Sequence, residues 1–122
     1  MRNFRKLRVW EESIDFVVYV FKLLNKIPNP YRQIFQSQLL RASISIPANI
    51  AEGCSRSSEK DFKIFLEISL GSSFEVETFL IVFQKLELIN ADNYNESILP
   101  LEAIQKMINA LIQRIKTDNK IK

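Results

Sequence analysis

Apolar residues return along this chain in four stretches at steps of three and four, the spacing that lays side chains along one face of an α-helix. In the first stretch Trp10, Ile14, Val17, Val18, Phe21 and Leu24 repeat in this way, while Glu11, Glu12, Asp15, Lys22 and Lys26 fall in a narrow wedge opposite. A helix is predicted over about residues 8–26, ending before Pro28 and Pro30, because proline disfavours helical backbone in the residue before it. The second stretch predicts a helix over about residues 31–53. Leu39, Ser43, Ile46, Ile50 and Cys54 lie on one side of it and Arg41, Ser45, Asn49, Glu52 and Arg56 on the other. Pro47 falls inside, where it removes one backbone bond; a kink is predicted there, with the carbonyl of Ser43 in need of another partner. Gly53 stands where a left-handed C-terminal cap is expected.

Ser58 followed by Asp61 reads as a capping box opening a third helix, in which the serine oxygen takes an orphan amide and the carboxylate reaches back. Phe62, Phe65, Leu66, Leu70, Phe74, Val76, Phe79, Leu80, Phe83 and Leu86 carry the pattern to about residue 89. At 1.5 Å per residue that helix is roughly 45 Å long. A break is expected at Ala91-Asp92-Asn93, and a fourth helix over about residues 95–117, with Ile104, Met107, Ile108, Leu111, Ile112 and Ile115 as its buried stripe.

Four long helices joined by short connections favour antiparallel neighbours, so the expected fold is all-α: a single domain over residues 1–122, an antiparallel up-down-up-down four-helix bundle. The chain has only two glycines and four prolines, too few for the turns of an all-β fold. The polar wedges of helices one and three are narrow, and a helix that is apolar most of the way round needs a second surface to bury it. A second copy of the chain is the expected partner. Gly71-Ser72-Ser73, in the middle of helix three, is the expected place of close packing, since small side chains let backbones approach.

The formal net charge is +3, but it is uneven. Arg2, Arg5, Lys6 and Arg8 crowd the start, Arg114, Lys116, Lys120 and Lys122 the end, and the stretch between is net acidic. Basic ends of this kind can reach phosphates. The apolar run Phe16 to Phe21 is preceded by three acidic residues and lacks a small-residue cleavage site, so export is not expected. Uncharged runs fall far short of the ~20 residues that span a bilayer. A single cysteine, Cys54, can form no intrachain disulfide, which suits a cytoplasmic location.

The chain contains no histidine, which removes the side chain that titrates nearest neutrality and the commonest general base. Glu75 and Glu77 point in different directions from one helix, and Cys54 has no base in its neighbourhood of sequence. No catalytic residue, metal or cofactor is expected. The polar stripe Arg41, Ser45, Asn49, Glu52 and Arg56 is the most prominent polar feature: either the solvated face of helix two or a ladder of donors and acceptors lining an interface. Ser55-Arg56-Ser57-Ser58, leading into a helix N-terminus, has the composition of an anion site, although capping alone accounts for its serines.

The run Ser37-Gln38-Leu39-Leu40-Arg41-Ala42-Ser43-Ile44-Ser45-Ile46-Pro47-Ala48-Asn49-Ile50-Ala51-Glu52-Gly53 closely resembles the signature of the 23S rRNA intervening-sequence family, also called four helix bundle proteins. The likeness extends to Leu7-Arg8-Val9-Trp10, Pro28, Tyr31, Ser55-Arg56, Phe62, Phe65, Leu66 and Gly71 to Thr78. Leu40 departs from it, because the family often shows a second arginine there. The resemblance implies an antiparallel four-helix protomer assembled as a ring, typically a pentamer, with no catalytic residues. A related accessory protein of diversity-generating retroelements binds a reverse transcriptase and nucleic acid.

The expected function is accordingly a non-enzymatic homo-oligomeric scaffold that binds RNA or DNA weakly through phosphate contacts, with Arg2, Arg5, Lys6, Arg8, Arg41 and Arg56 as candidate contacts. The alternative is an adaptor that docks a protein partner such as a polymerase or reverse transcriptase and has no direct nucleic-acid role.

Overall fold

The computed structural model describes residues 2–121, with side chains through Asp118; the charges of Lys120 and Lys122 lie outside the described side chains. Helices α1 (Arg8–Leu24), α2 (Asn29–Cys54), α3 (Glu59–Lys85) and α4 (Ala91–Ile121) follow a single 3-10 turn, Phe4–Lys6, and there is no strand among the described residues. Each helix packs on its neighbours in sequence, and α1 closes the square against α4, leaving both diagonals empty. This is the up-down-up-down bundle.

Local chemistry sets the helix ends. The hydroxyl of Ser58 accepts from the amide of Asp61 at 3.1 Å, the serine half of the expected capping box. α3 stops at Lys85, earlier than predicted. Glu87 takes a left-handed backbone, φ 58°, and the amide of Leu88 reaches back to the carbonyl of Phe83 at 2.8 Å, closing the helix as a glycine normally would. α4 starts earlier than predicted for the opposite reason: the Asn90 side chain accepts from the amide of Asn93 at 2.7 Å, so the polar run read as a break is a cap and a first turn.

Gly53 does not form the left-handed cap. It has no positive φ and α2 continues through it to Cys54. Its role is contact: a Cβ at this position would lie 2.9 Å from Phe62 Cδ1 and 2.9 Å from Phe65 Cβ. The second of these is anchored to the α3 backbone and has little room to give. Gly53→Ala is therefore expected to destabilise the bundle by about 1–3 kcal/mol of overpacking, less the ~1 kcal/mol that alanine gains over glycine in a helix. Urea denaturation measures it; an increase in stability would show that α2 and α3 are not in contact there. By contrast, a Cβ at Gly71 would meet nothing within 4 Å. Gly71 is exposed, but Ser72 meets Ser45 across the α2–α3 seam at 2.8 Å and Ser73 is buried, so two of the three small residues pack inside the protomer and Gly71 does not.

The core-facing stripe of α1 is Val9, Ser13, Phe16, Val20, Leu23 and Leu24. Of the pattern read from the sequence, Ile14, Val18 and Phe21 point outward, 36%, 50% and 51% exposed. α1 carries two apolar stripes: the longer, through Val9, Phe16, Val20 and Leu23, faces the core, and Ile14, Val18 and Phe21 face away from it. α4 behaves as expected, burying Ile104, Ile108, Ile112 and Ile115, with Met107 and Leu111 half-buried. Pro47 lies buried within an uninterrupted α2. Five buried serines let the helices approach closely, and each gives its hydroxyl to a carbonyl; Ser69 does so across the α2–α3 seam, to Ile46 at 2.9 Å.

Candidate nucleic-acid interface

Up-down-up-down topology brings the start of α1, the end of α2, the start of α3 and the end of α4 to one end of the bundle. Arg8 of the first basic stretch and Arg114 of the last, far apart in sequence, meet there. Leu7, Arg8 and Val9 line a groove of about 220 Å³ with Met107, Ala110, Leu111 and Arg114. On the other side of the chain's first residues, Arg2, Asn3, Phe4 and Arg5 line a second groove, about 310 Å³, with Ala51, Cys54 and Ser55.

Residues 2–7 form a strap over this end. The amide of Arg2 donates to the carbonyl of Cys54 at 3.1 Å; its guanidinium pairs with Glu59 and lies 4.2 Å above the Phe62 ring. Asn3 caps the 3-10 turn by accepting from the amide of Arg5, and Phe4 meets Trp10 edge to face with ring centroids 5.0 Å apart. No sequence pattern marks Glu59 as a partner for Arg2, because the pair spans 57 positions and only the fold joins them.

Four of the six candidate cations already have a carboxylate. Arg2 pairs with Glu59, Arg8 with Glu12 at 2.8 Å, Arg56 with Glu52 at 3.3 Å and Arg41 with Glu75 at 3.4 Å. Arg5 instead stacks on Phe4, 4.5 Å from the ring centroid, and like Lys6 it is exposed. Exposed pairs of this kind contribute little and exchange readily for another anion. Arg41 stands apart from the others: thirteen residues before the end of α2 at Cys54, it is roughly 20 Å along the axis from the end where Arg56 lies. Arg2, Arg5, Lys6, Arg8 and Arg56 share one end, and Arg41 does not join them.

The polar stripe of α2 lies along the α3 seam. Arg41 reaches Glu75, Ser45 meets Ser72, Asn49 donates back to the Ser45 carbonyl at 2.8 Å, and Arg56 rests 4.8 Å over the Phe65 ring. Arg41, Glu52 and Arg56 remain exposed and Ser45 and Asn49 half-buried. In the Ser55 to Ser58 segment, Ser55 donates to the Glu52 carbonyl at 2.6 Å and Ser58 caps α3, so both hydroxyls are already engaged within the protein.

Cys54 is 1% exposed, and burial pushes its thiol pKa up, against a smaller opposing pull from Arg2. The unfolded thiol ionises first as pH rises, so the folded state loses stability on passing the thiol's unfolded pKa. Iodoacetamide at pH 8 is expected to label native Cys54 far more slowly than the chain in urea; equal rates would contradict its burial.

A model of the 23S rRNA-intervening sequence protein family matches residues 5–110, and the chain belongs to that family. Among solved structures it is similar to a protein of unknown function from the S23 ribosomal protein family of Bacteroides thetaiotaomicron. The two are 28% identical, the match covers 85% of this chain and 97% of the other, and the TM-score is 0.79. No curated protein matches the chain. Among the described residues no helix is long and apolar enough to cross a membrane.

Proposed function

We propose that this member of the 23S rRNA-intervening sequence family is a non-enzymatic, cytoplasmic homo-oligomer, a ring that the family resemblance makes a pentamer, and that it binds RNA or DNA weakly through phosphate contacts. The observation that carries the nucleic-acid reading is the gathering of Arg2, Arg5, Lys6, Arg8, Arg56 and Arg114 at one end of the bundle, from segments distant in sequence. A ring repeats that end in every copy, so modest contacts add through avidity. The exposed apolar side chains on α1, α2 and α3 support self-association.

A second reading keeps the ring and replaces the ligand: an adaptor that docks a protein partner such as a polymerase or reverse transcriptase. It is favoured by the carboxylates that already neutralise Arg2, Arg8, Arg41 and Arg56. Salt separates the two. Short labelled RNA and DNA are expected to bind at low salt and to weaken steeply, along a straight log–log line, as salt rises. No binding at low salt would leave the adaptor reading, whose apolar contact is nearly indifferent to salt.

A further inference from the structure

Among the described residues twelve large apolar side chains stand exposed, and they are not scattered evenly: α4 contributes only Leu99. On a helix of 100° per residue, anchored by the contact of Tyr19 with Ser97 on the α4 side, Ile14, Val18 and Phe21 fall on the α2 side and outer edge of α1. Their spacing, i, i+4 and i+7, makes a single ridge, continued on α2 by Ile44, and none of these four positions carries a charge.

The adjacent side of the bundle has the opposite shape. Between α2 and α3 runs a groove of about 260 Å³ lined by Phe35, Glu75, Thr78, Phe79 and Val82. Phe35 and Phe79 meet in it edge to face with ring centroids 6.3 Å apart; Ile34, 69% exposed, precedes Phe35 on α2, and Leu86, 55% exposed, follows Val82 by four positions, so both extend its apolar rims by sequence register. Glu75 is held by Arg41, so the charge at the groove's end is already matched.

Resting on the oligomeric reading above, we infer that the α1 ridge of one copy, centred on Val18 and Phe21, seats in the α2–α3 groove of the next. Shape selects this pairing, because a ridge packs into a groove and neither face complements itself. Area agrees. At about 200 Å² for a fully exposed large side chain, the ridge and its Ile44 extension, and the groove with its rims and Ile68, each leave roughly 400 Å² uncovered. That approaches the apolar share of the ~800 Å² each partner contributes to a standard interface. A contact between two different faces is head-to-tail, and these faces lie on neighbouring sides of a four-sided bundle. Each docking therefore turns the next copy, and the assembly curves back on itself with α2 on its inner wall and polar α4 outside.

Phe21→Glu and Val82→Glu test it, both at exposed positions, with circular dichroism to confirm that helicity is kept. Light scattering coupled to size exclusion is expected to show the wild type at a multiple of 14.3 kDa and each variant alone at one chain's mass. Mixed in equal amounts, the two variants are expected to form a species of two chains, since one retains the ridge and the other the groove. A mixture that stays monomeric, or either variant assembling like the wild type, overturns the pairing and leaves the oligomer standing. A monomeric wild type removes the oligomeric reading itself, and the pairing with it.

Discussion

Phe62→Ala is expected to cost about 3–5 kcal/mol of folding free energy, the range for removing a buried aromatic ring from a core that relaxes only in part. Phe62 is 1% exposed and lies where three elements meet: α3 carries it, Gly53 of α2 leaves the space it fills, and the Arg2 guanidinium covers its ring. A small domain is stable by only 5–15 kcal/mol or so, and this one change can consume much of that margin. The urea midpoint should fall with little change in slope. Arg2→Ala, which removes only the half-buried ion pair and the stacked cation and leaves the ring in place, should cost less, about 1–2 kcal/mol. If the two variants proved equally destabilising, the strap rather than the ring would hold this end together. The same ring explains Gly53: any side chain on α2 at that level competes with Phe62 for one volume.

The fold was legible because helices announce themselves by period, and the four segments are long enough for the period to dominate. Their ends were harder to read. Asn90 caps α4 from within a run of polar residues that equally suits a loop, and Glu87 adopts the left-handed conformation that a glycine would have signalled. Period also cannot say which of two stripes faces inward. In α1 the stripe through Ile14, Val18 and Phe21 is apolar at every step, whereas Ser13 belongs to the core and breaks the apolar count of the true inner face. The candidate site was legible only in part. Arg2, Arg5, Lys6 and Arg8 were visible as a cluster along the chain. Their approach to Arg56 and Arg114, and the neutralisation of Arg2 by Glu59, exist only through the packing of helices distant in sequence. Angle on a projected helix groups Arg41 with Arg56, and rise along the axis separates them.

The double variant Arg5→Glu, Lys6→Glu is expected to abolish binding to short RNA and DNA at low salt while leaving the mass of the assembly unchanged. These two side chains are the strap cations without a carboxylate partner among the described residues, and neither lies on the apolar ridge or groove. Each phosphate contact contributes about 0.9 to the log–log salt slope on duplex DNA and about 0.7 on a single strand, and an acidic replacement adds repulsion to the lost attraction. In an assembly the effect repeats with every copy that touches the ligand. Changing Lys85 and Lys106 to glutamate is the needed control, since both are exposed, lie off the strap, and shift the net charge equally. Loss of binding in the strap variant alone places the contact on the strap. Equal losses would mean that phosphates sense only the overall charge of the assembly. Unchanged binding in both would take the phosphate contact away from this end of the bundle, and the carboxylates that pair with Arg2, Arg8 and Arg56 would then be sufficient reason for its silence.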